Sequence, residues 1–139
     1  MNMAGPRMTT VTIGGNKFNA LSAHFGLATH HDHFGLPQMG TLRCAIDCMV
    51  DIHDTMNMPY EAMTKLFQLA NIVTKEKIAD MKIEFWTDDS QSDALCTYSF
   101  KGWISSWNTS SGGGSNHTLS ISLQPALDNK NFIDFKMGN

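Results

Sequence analysis

Apolar and polar residues alternate along several stretches of the chain, and this period of two predicts β-strands with one buried face. The longest stretch, 42–53, has these apolar positions: Leu42, Cys44, Ile46, Cys48, Val50 and Ile52. Further strands are predicted at 9–13, 17–27, 81–85, 94–107 and 118–124, with a short last strand around 132–135. Long strands joined by regular turns favour an antiparallel β-barrel or sandwich.

One stretch follows a helical period instead. Its apolar residues, spaced at i, i+3, i+4 and i+7, are Met63, Leu66, Phe67 and Ala70. This stripe predicts an amphipathic helix over 59–72, with Pro59 in the first turn and Asn57 as the N-cap. The expected fold is therefore mainly β, an antiparallel barrel or sandwich with one α-helix packed on its side.

Glycine-rich and polar segments separate the predicted strands. Gly14 and Gly15 predict a tight hairpin turn, and Gly102 predicts a β-bulge inside a strand. An acidic turn is expected at 88–93, and a flexible Ser/Gly linker at 110–116. Residues 29–40 form a loop of about a dozen residues, a length that is usually functional in a compact domain.

Composition narrows the class of protein. The 139 residues are expected to form one domain, 1–139, in which residues 1–8 are a flexible tail. The net charge of −3 argues against a nucleic-acid partner. Membrane insertion and a secretory signal are not expected, because no apolar run approaches the ~20 residues of a span. Only 17% of the residues are charged, which suits a surface that meets copies of itself.

The cysteines indicate synthesis in a reducing compartment. There are three, so they cannot all pair within one chain. Cys44 and Cys48 lie about 13 Å apart if they share a strand, at ~3.3 Å per residue, which is too far for a disulfide. We expect these two residues and Cys96 to be buried free thiols.

A cluster of histidines lies in the long loop. His30, His31, Asp32 and His33 offer ligands for zinc, nickel or copper, so a small metal-binding protein is one alternative. Four consecutive residues of one loop lack the rigid support that metal sites normally have. We therefore predict no metal and interpret the loop as a polar, exposed contact loop.

The sequence predicts neither an enzyme nor a cofactor. No base and orienting group accompany Cys96, Ser105 or Ser120, and the glycine-rich run 111–115 lacks the lysine of a phosphate-binding loop. A sugar-binding module remains a further alternative. Its stacking platform would use these tryptophans: Trp86, Trp103 and Trp107.

The order of these segments resembles a known family. A hairpin, a loop containing Phe34-Gly35-Leu36-Pro37-Gln38-Met39-Gly40, a long strand and one helix come first. Next come a Lys-Ile-Glu-Phe strand, an acidic turn and a long strand that reads Leu-Cys-Thr-Tyr-Ser-Phe-Lys-Gly-Trp-Ile-Ser-Ser-Trp. The pattern ends with a Ser/Gly linker and the strand Thr-Leu-Ser-Ile-Ser-Leu-Gln-Pro. Over residues 9–136 this is similar to the type VI secretion tube protein, Hcp, in a compact form, and to phage tail-tube proteins.

The resemblance implies a non-enzymatic β-barrel subunit that forms hexameric rings. The rings would stack into the inner tube of a contractile injection apparatus, with a tip protein, sheath proteins and effector cargo as partners. The subunit would be made in the bacterial cytoplasm and secreted without a signal peptide. The implied contact loop between subunits or rings comprises His30, His31, Asp32, His33, Phe34, Leu36, Pro37 and Gln38.

Overall fold

The alternating stretches form one antiparallel sheet in the computed structural model. The structure describes residues 8–29, 31–37, 43–53, 56–88, 90–111, 117–126 and 133–138. Its strands are β1 (Thr9–Ile13), β2 (Asn16–Ala20), β3 (Ser22–Ala28), β4 (Arg43–Asp51), β5 (Ala79–Trp86), β6 (Ala94–Ser111), β7 (His117–Pro125) and β8 (Asp134–Met137). The mainly β fold predicted from the sequence is confirmed.

The sheet curls until its two edge strands are consecutive in the chain. The strand order is β2-β1-β5-β6-β7-β4-β3, and β8 pairs with β6. Leu21 alone separates β2 from β3, so the single strand predicted over 17–27 is divided there. The Leu21 amide donates to the Met49 carbonyl (2.8 Å), but no ladder joins β2 to β3 within the described residues. The sheet is thus barrel-like and open.

Strand β6 connects the two halves of the sheet. Its first half pairs with β5 on one side and with β8 on the other, and its second half pairs with β7. The register with β7 shifts between Ile104 and Ser106, and the register with β5 shifts where Phe85 pairs with Cys96 and Trp86 with Ala94. The prediction of a bulge at Gly102 is wrong, because Gly102 pairs regularly with both Ala79 and Pro125.

The inward-facing residues of the strands build one core. Ile46, Cys48 and Val50 are buried on β4 as the alternation predicts, whereas Asp47 and Met49 are exposed. The largest fully buried side chains are Phe18, Ile13, Ile46, Met58, Leu66, Ile83, Leu119, Ile121, Leu123, Val11 and Val50. Burial of this apolar surface is the main term that stabilises the sheet.

The one α-helix, α1, spans Tyr60–Ala70. Leu66 is fully buried and Phe67 is 48% exposed, so the buried face is rotated towards Ala62 relative to the predicted stripe. Pro59 is the N-cap, and the prediction of Asn57 as the cap is wrong. The Asn57 side-chain oxygen instead accepts a hydrogen bond from Nδ2 of Asn19 (2.9 Å), which ties the segment before the helix to β2.

The three cysteines are free thiols, as predicted. Cys48 is buried, whereas Cys44 and Cys96 are only partly buried, so the prediction of burial is wrong for these two. Residues 1–7 of the predicted tail and residues 112–116 of the predicted linker lie outside the described residues. Within the described part of the chain, no helix has the length and apolar character needed to cross a bilayer.

Candidate assembly surfaces

The long loop after β3 is organised by one carboxylate. The Asp32 amide donates to the Leu36 carbonyl (2.9 Å), and the Gly35 amide donates to the Asp32 carbonyl (3.0 Å). Oδ1 of Asp32 accepts hydrogen bonds from the amides of Phe34 (2.9 Å) and Leu36 (3.0 Å). An aspartate that accepts amides two and four residues further along fixes a tight turn. The loop is therefore a defined hairpin tip, closed by a bridge between His31 and Pro37.

This tip presents apolar side chains to solvent. Phe34 is 78% exposed and Leu36 is 62% exposed, while the Asp32 carboxylate holds the backbone beneath them. The His33 ring lies 4.2 Å from the Phe34 ring. Of the predicted contact residues, His30 and Gln38 lie outside the described residues. Ordered, exposed apolar groups are what a protein contact uses.

Two of the residues proposed as metal ligands in the alternative interpretation, His31 and Asp32, lie within hydrogen-bonding distance of the loop backbone. Oδ1 of Asp32 is occupied by two amides, and Nδ1 of His31 lies 3.2 Å from the Thr29 carbonyl oxygen. Within the described residues no three His, Cys, Asp or Glu side chains are grouped to hold a metal ion. Asp32 thus accepts the two hydrogen bonds that define the turn.

A nearly uncharged face covers the outside of strands β3, β4, β7 and β6. Ser120 and Ser122 lie on it because Leu119, Ile121 and Leu123 of β7 point into the core. Asp47 is opposite both His24 and Ser122, and the Ser122 hydroxyl donates to its Oδ1 (2.6 Å). Small hydroxyl side chains on β7 carry no charge, so a contact made by this part of the face would desolvate few ions.

The tryptophans do not share one platform. Nε1 of Trp86 donates to the hydroxyl of Thr10 (2.8 Å), and the Trp107 ring meets Phe67 edge-on at 5.4 Å. Trp107 packs against the core, whereas Trp103 is opposite Gln124, a residue of the outer face. A sugar-stacking site needs aromatic faces presented together, and these three residues do not provide that arrangement.

A second exposed apolar surface was not predicted from the sequence. It lies between α1 and β5, where Ile72 is 77% exposed, Val73 38% and Ile78 37%. Ile72 has φ +57°, a conformation that β-branched residues rarely adopt. The periodicity extended the helix to residue 72 and gave no signal of this turn.

The geometry defines a class of protein: a barrel-like antiparallel sheet with one flanking helix and an exposed apolar loop. No family model and no curated protein matches the chain. Solved structures of Hcp proteins do match it.

Hcp1 from Flavobacterium johnsoniae is 16% identical, with a TM-score of 0.57, over 91% of this chain and 99% of the other. A variant of Hcp1 from E. coli EAEC 042 is 11% identical, with a TM-score of 0.62, over 94% and 99%. A type VI secretion system effector from Yersinia pestis is 9% identical, with a TM-score of 0.57, over 93% and 98%. The chain has the Hcp fold, as the resemblance predicted.

Proposed function

We propose that the chain is a structural subunit that forms hexameric rings, and that the rings stack into the inner tube of a type VI secretion apparatus. The observation that carries this proposal is the match to Hcp structures along almost the whole length of both chains. The proposed role is mechanical and involves no catalysis.

The surfaces of the subunit support self-assembly. A closed ring requires two different patches on each copy that fit one another, and a stack requires two more. This subunit offers the apolar tip at Phe34 and Leu36, the weakly charged face around Ser120 and Ser122, and the apolar segment around Ile72. Few charges would need to lose their hydration when such surfaces meet.

The loop from His30 to Gln38 is the proposed contact between neighbouring subunits or rings. Its partners in function would be further copies of the chain, a tip protein, sheath proteins and effector cargo. Secretion from the bacterial cytoplasm through the apparatus, without a signal peptide, follows from the same proposal. Phe34 and Leu36 are the side chains most available for the contact.

Light scattering coupled to size-exclusion chromatography tests the ring. The untagged protein should elute with a mass near six times 15.4 kDa or as larger multiples. The double variant Phe34→Ser/Leu36→Ser should shift this distribution towards smaller species without lowering the melting temperature, because both side chains are exposed. The variant Gln68→Ser, at an exposed residue of α1, is the control and should assemble normally. A wild-type protein that stays at 15.4 kDa at every concentration would contradict the proposal.

A further inference from the structure

The segment between α1 and β5 keeps an unfavourable conformation at an exposed residue. Ile72 is in the left-handed region (φ +57°), where glycine or asparagine is normally found, and its side chain is 77% exposed. Ile72 directly follows the C-cap Asn71, so its left-handed conformation ends α1 at a position where glycine is usual, and the exposure of its side chain contributes no stability within the subunit. Strain of this kind is typically maintained where a residue serves another contact.

The residues around Ile72 form an apolar knob with a basic border. Ile72, Val73 and Ile78 are exposed, and Lys75 and Lys77 lie on the short 3-10 helix Lys75–Lys77 between them. Lys77 donates a hydrogen bond to the Asn71 carbonyl at the end of α1, so its positive charge is held beside the knob.

One carboxylate, Glu76, lies on the same short helix. The Thr74 hydroxyl donates a hydrogen bond to the Glu76 carboxylate and holds the pKa of this carboxyl below its usual range, so Glu76 is ionised at neutral pH. The segment 71–78 therefore contains two lysines and one glutamate, and it is net positive.

The opposite end of β5 has the opposite charge. The turn 87–93 that follows β5 contains three aspartates and no basic residue in its sequence. Asp88 is exposed, and its Oδ1 accepts from the amide of Ser90 (3.0 Å), which holds the carboxylate in place. Because β5 has eight residues, about 26 Å at ~3.3 Å per residue separates the two charged ends.

The sheet topology places the acidic turn on the same rim as the apolar loop. Strands β3 and β5 run in the same direction, since four antiparallel pairings relate them through β6, β7 and β4. The loop containing Phe34 and the turn containing Asp88 follow the ends of these two strands. The acidic turn at the end of β5 therefore points towards the same end of the sheet as the apolar loop, and the net positive segment with the apolar knob lies at the other end of β5.

We propose that the knob at Ile72, Val73 and Ile78 docks on the acidic rim of a second copy of this chain, so that subunits contact head to tail along β5. A heterologous contact of this kind repeats without limit and produces a stack. Charge complementarity orients the two rims, and burial of the apolar side chains stabilises the contact. The inference rests on the proposed function and identifies the contact between successive rings.

Substitution of Ile72 gives a test in which stability and assembly change in opposite directions. In Ile72→Gly, a residue that favours positive φ replaces the strained one, so the melting temperature of the subunit should be equal to or above that of the wild type. The same change removes the knob, and the mean tube length in negative-stain images should fall at least fivefold while rings remain. Ile72→Val is the matched control, because it keeps an apolar β-branched side chain; its tubes should have wild-type length.

Charge exchange tests the orientation of the contact. Lys75→Glu should shorten the tubes, because the altered rim meets aspartates of the next copy. Asp88→Lys/Asp93→Lys should also shorten them, because the turn 87–93 then carries two lysines and one aspartate and meets a segment that is net positive. The double charge exchange, Lys75→Glu/Lys77→Glu together with Asp88→Lys/Asp93→Lys, should restore length, since a net negative segment then faces a net positive turn. Lys75, Asp88 and Asp93 are exposed, so the folded subunit should tolerate changes at these positions.

The possible results separate this inference from the proposed function. Tubes of wild-type length in both Ile72→Gly and Lys75→Glu would overturn the docking surface and leave the tube proposal standing. Shortened tubes that the double charge exchange fails to restore would overturn the head-to-tail pairing of these rims. A wild-type protein that forms neither rings nor tubes would overturn both.

Discussion

Asp32 determines the shape of the exposed loop by accepting hydrogen bonds from the Phe34 and Leu36 amides. A turn that depends on one side chain keeps its apolar groups at fixed positions while they are exposed to water. A preorganised loop loses less conformational freedom when it binds, so more of the contact energy is retained.

The variant Asp32→Ala should release the tip of the loop. The amides of Phe34 and Leu36 lose their acceptor, and their hydrogen exchange should become about tenfold faster, which corresponds to about 1.4 kcal/mol of local stability. Hydrogen exchange measured by NMR reports both amides directly. Asp32→Asn keeps an acceptor oxygen and should exchange nearly as slowly as the wild type. Equal exchange in Asp32→Ala and the wild type would contradict the assigned role.

Cys48 links the stability of the core to alkaline pH. Burial, with a smaller effect from the Asp47 carboxylate, raises the pKa of its thiol from 9.0 to about 12. Between those values the unfolded chain loses the thiol proton and the folded chain keeps it. The contribution is therefore fully present below pH 9 and is lost as the pH rises.

Urea unfolding between pH 8 and pH 11 measures this effect. The free energy of unfolding should fall by about 1.4 kcal/mol per pH unit above pH 9 from Cys48 alone. Cys48→Ala should start from a lower stability, because it leaves a small cavity, but its curve should be shallower by that amount. Parallel pH curves for the two proteins would show that the buried thiol does not titrate as described.

At the scale of elements, β6 determines how the sheet is connected. Its first half pairs with β5 and β8, and its second half pairs with β7. Gly102 lies at the junction, and a Cβ atom there would overlap the backbone carbonyl of Gln124. The close approach of β7 at this point explains the glycine.

The substitution Gly102→Ala should therefore destabilise the subunit strongly. Backbone must move to admit the methyl group, so we expect a loss of about 2 kcal/mol or more in the free energy of unfolding. Ser105→Ala, at an exposed position of the same strand, should change it by no more than about 0.5 kcal/mol. Denaturation midpoints measure both variants, and a Gly102→Ala protein as stable as Ser105→Ala would refute the explanation.

Elements with a single buried face were predictable from the sequence. The alternation of Leu119, Ile121 and Leu123 and of Ile46, Cys48 and Val50 correctly identified the inner faces of β7 and β4. Features that depend on contacts distant in sequence were not predictable. The Asn57 side chain accepts a hydrogen bond from Asn19 instead of capping α1. Glycine is required at position 102 because the backbone carbonyl of Gln124 lies close to it, and not because the strand bulges there.

The candidate contact surfaces were also predictable from the sequence only in part. The histidine-rich loop was predicted as a contact surface from its length and polarity, but the turn set by Asp32 depends on hydrogen bonds that composition does not specify. The exposed knob at Ile72 could not be predicted, because Ile72 continued the helical pattern of apolar residues over 59–72. Positive φ at a β-branched residue is visible only in the folded chain.

At the scale of the whole molecule, the low charge of the chain and its exposed apolar surfaces have one explanation. The two rims differ in charge, the loop rim presents Phe34 and Leu36, and the outer face is mostly uncharged. In the proposed assembly, contacts between copies would use all of these features, so self-assembly is the central claim of the proposal.

Negative-stain electron microscopy of the purified, untagged wild-type protein tests that claim most directly. The account predicts closed rings of six subunits at low concentration and stacks of such rings as the concentration rises. Single subunits at every concentration, with no ring in the images, would contradict it.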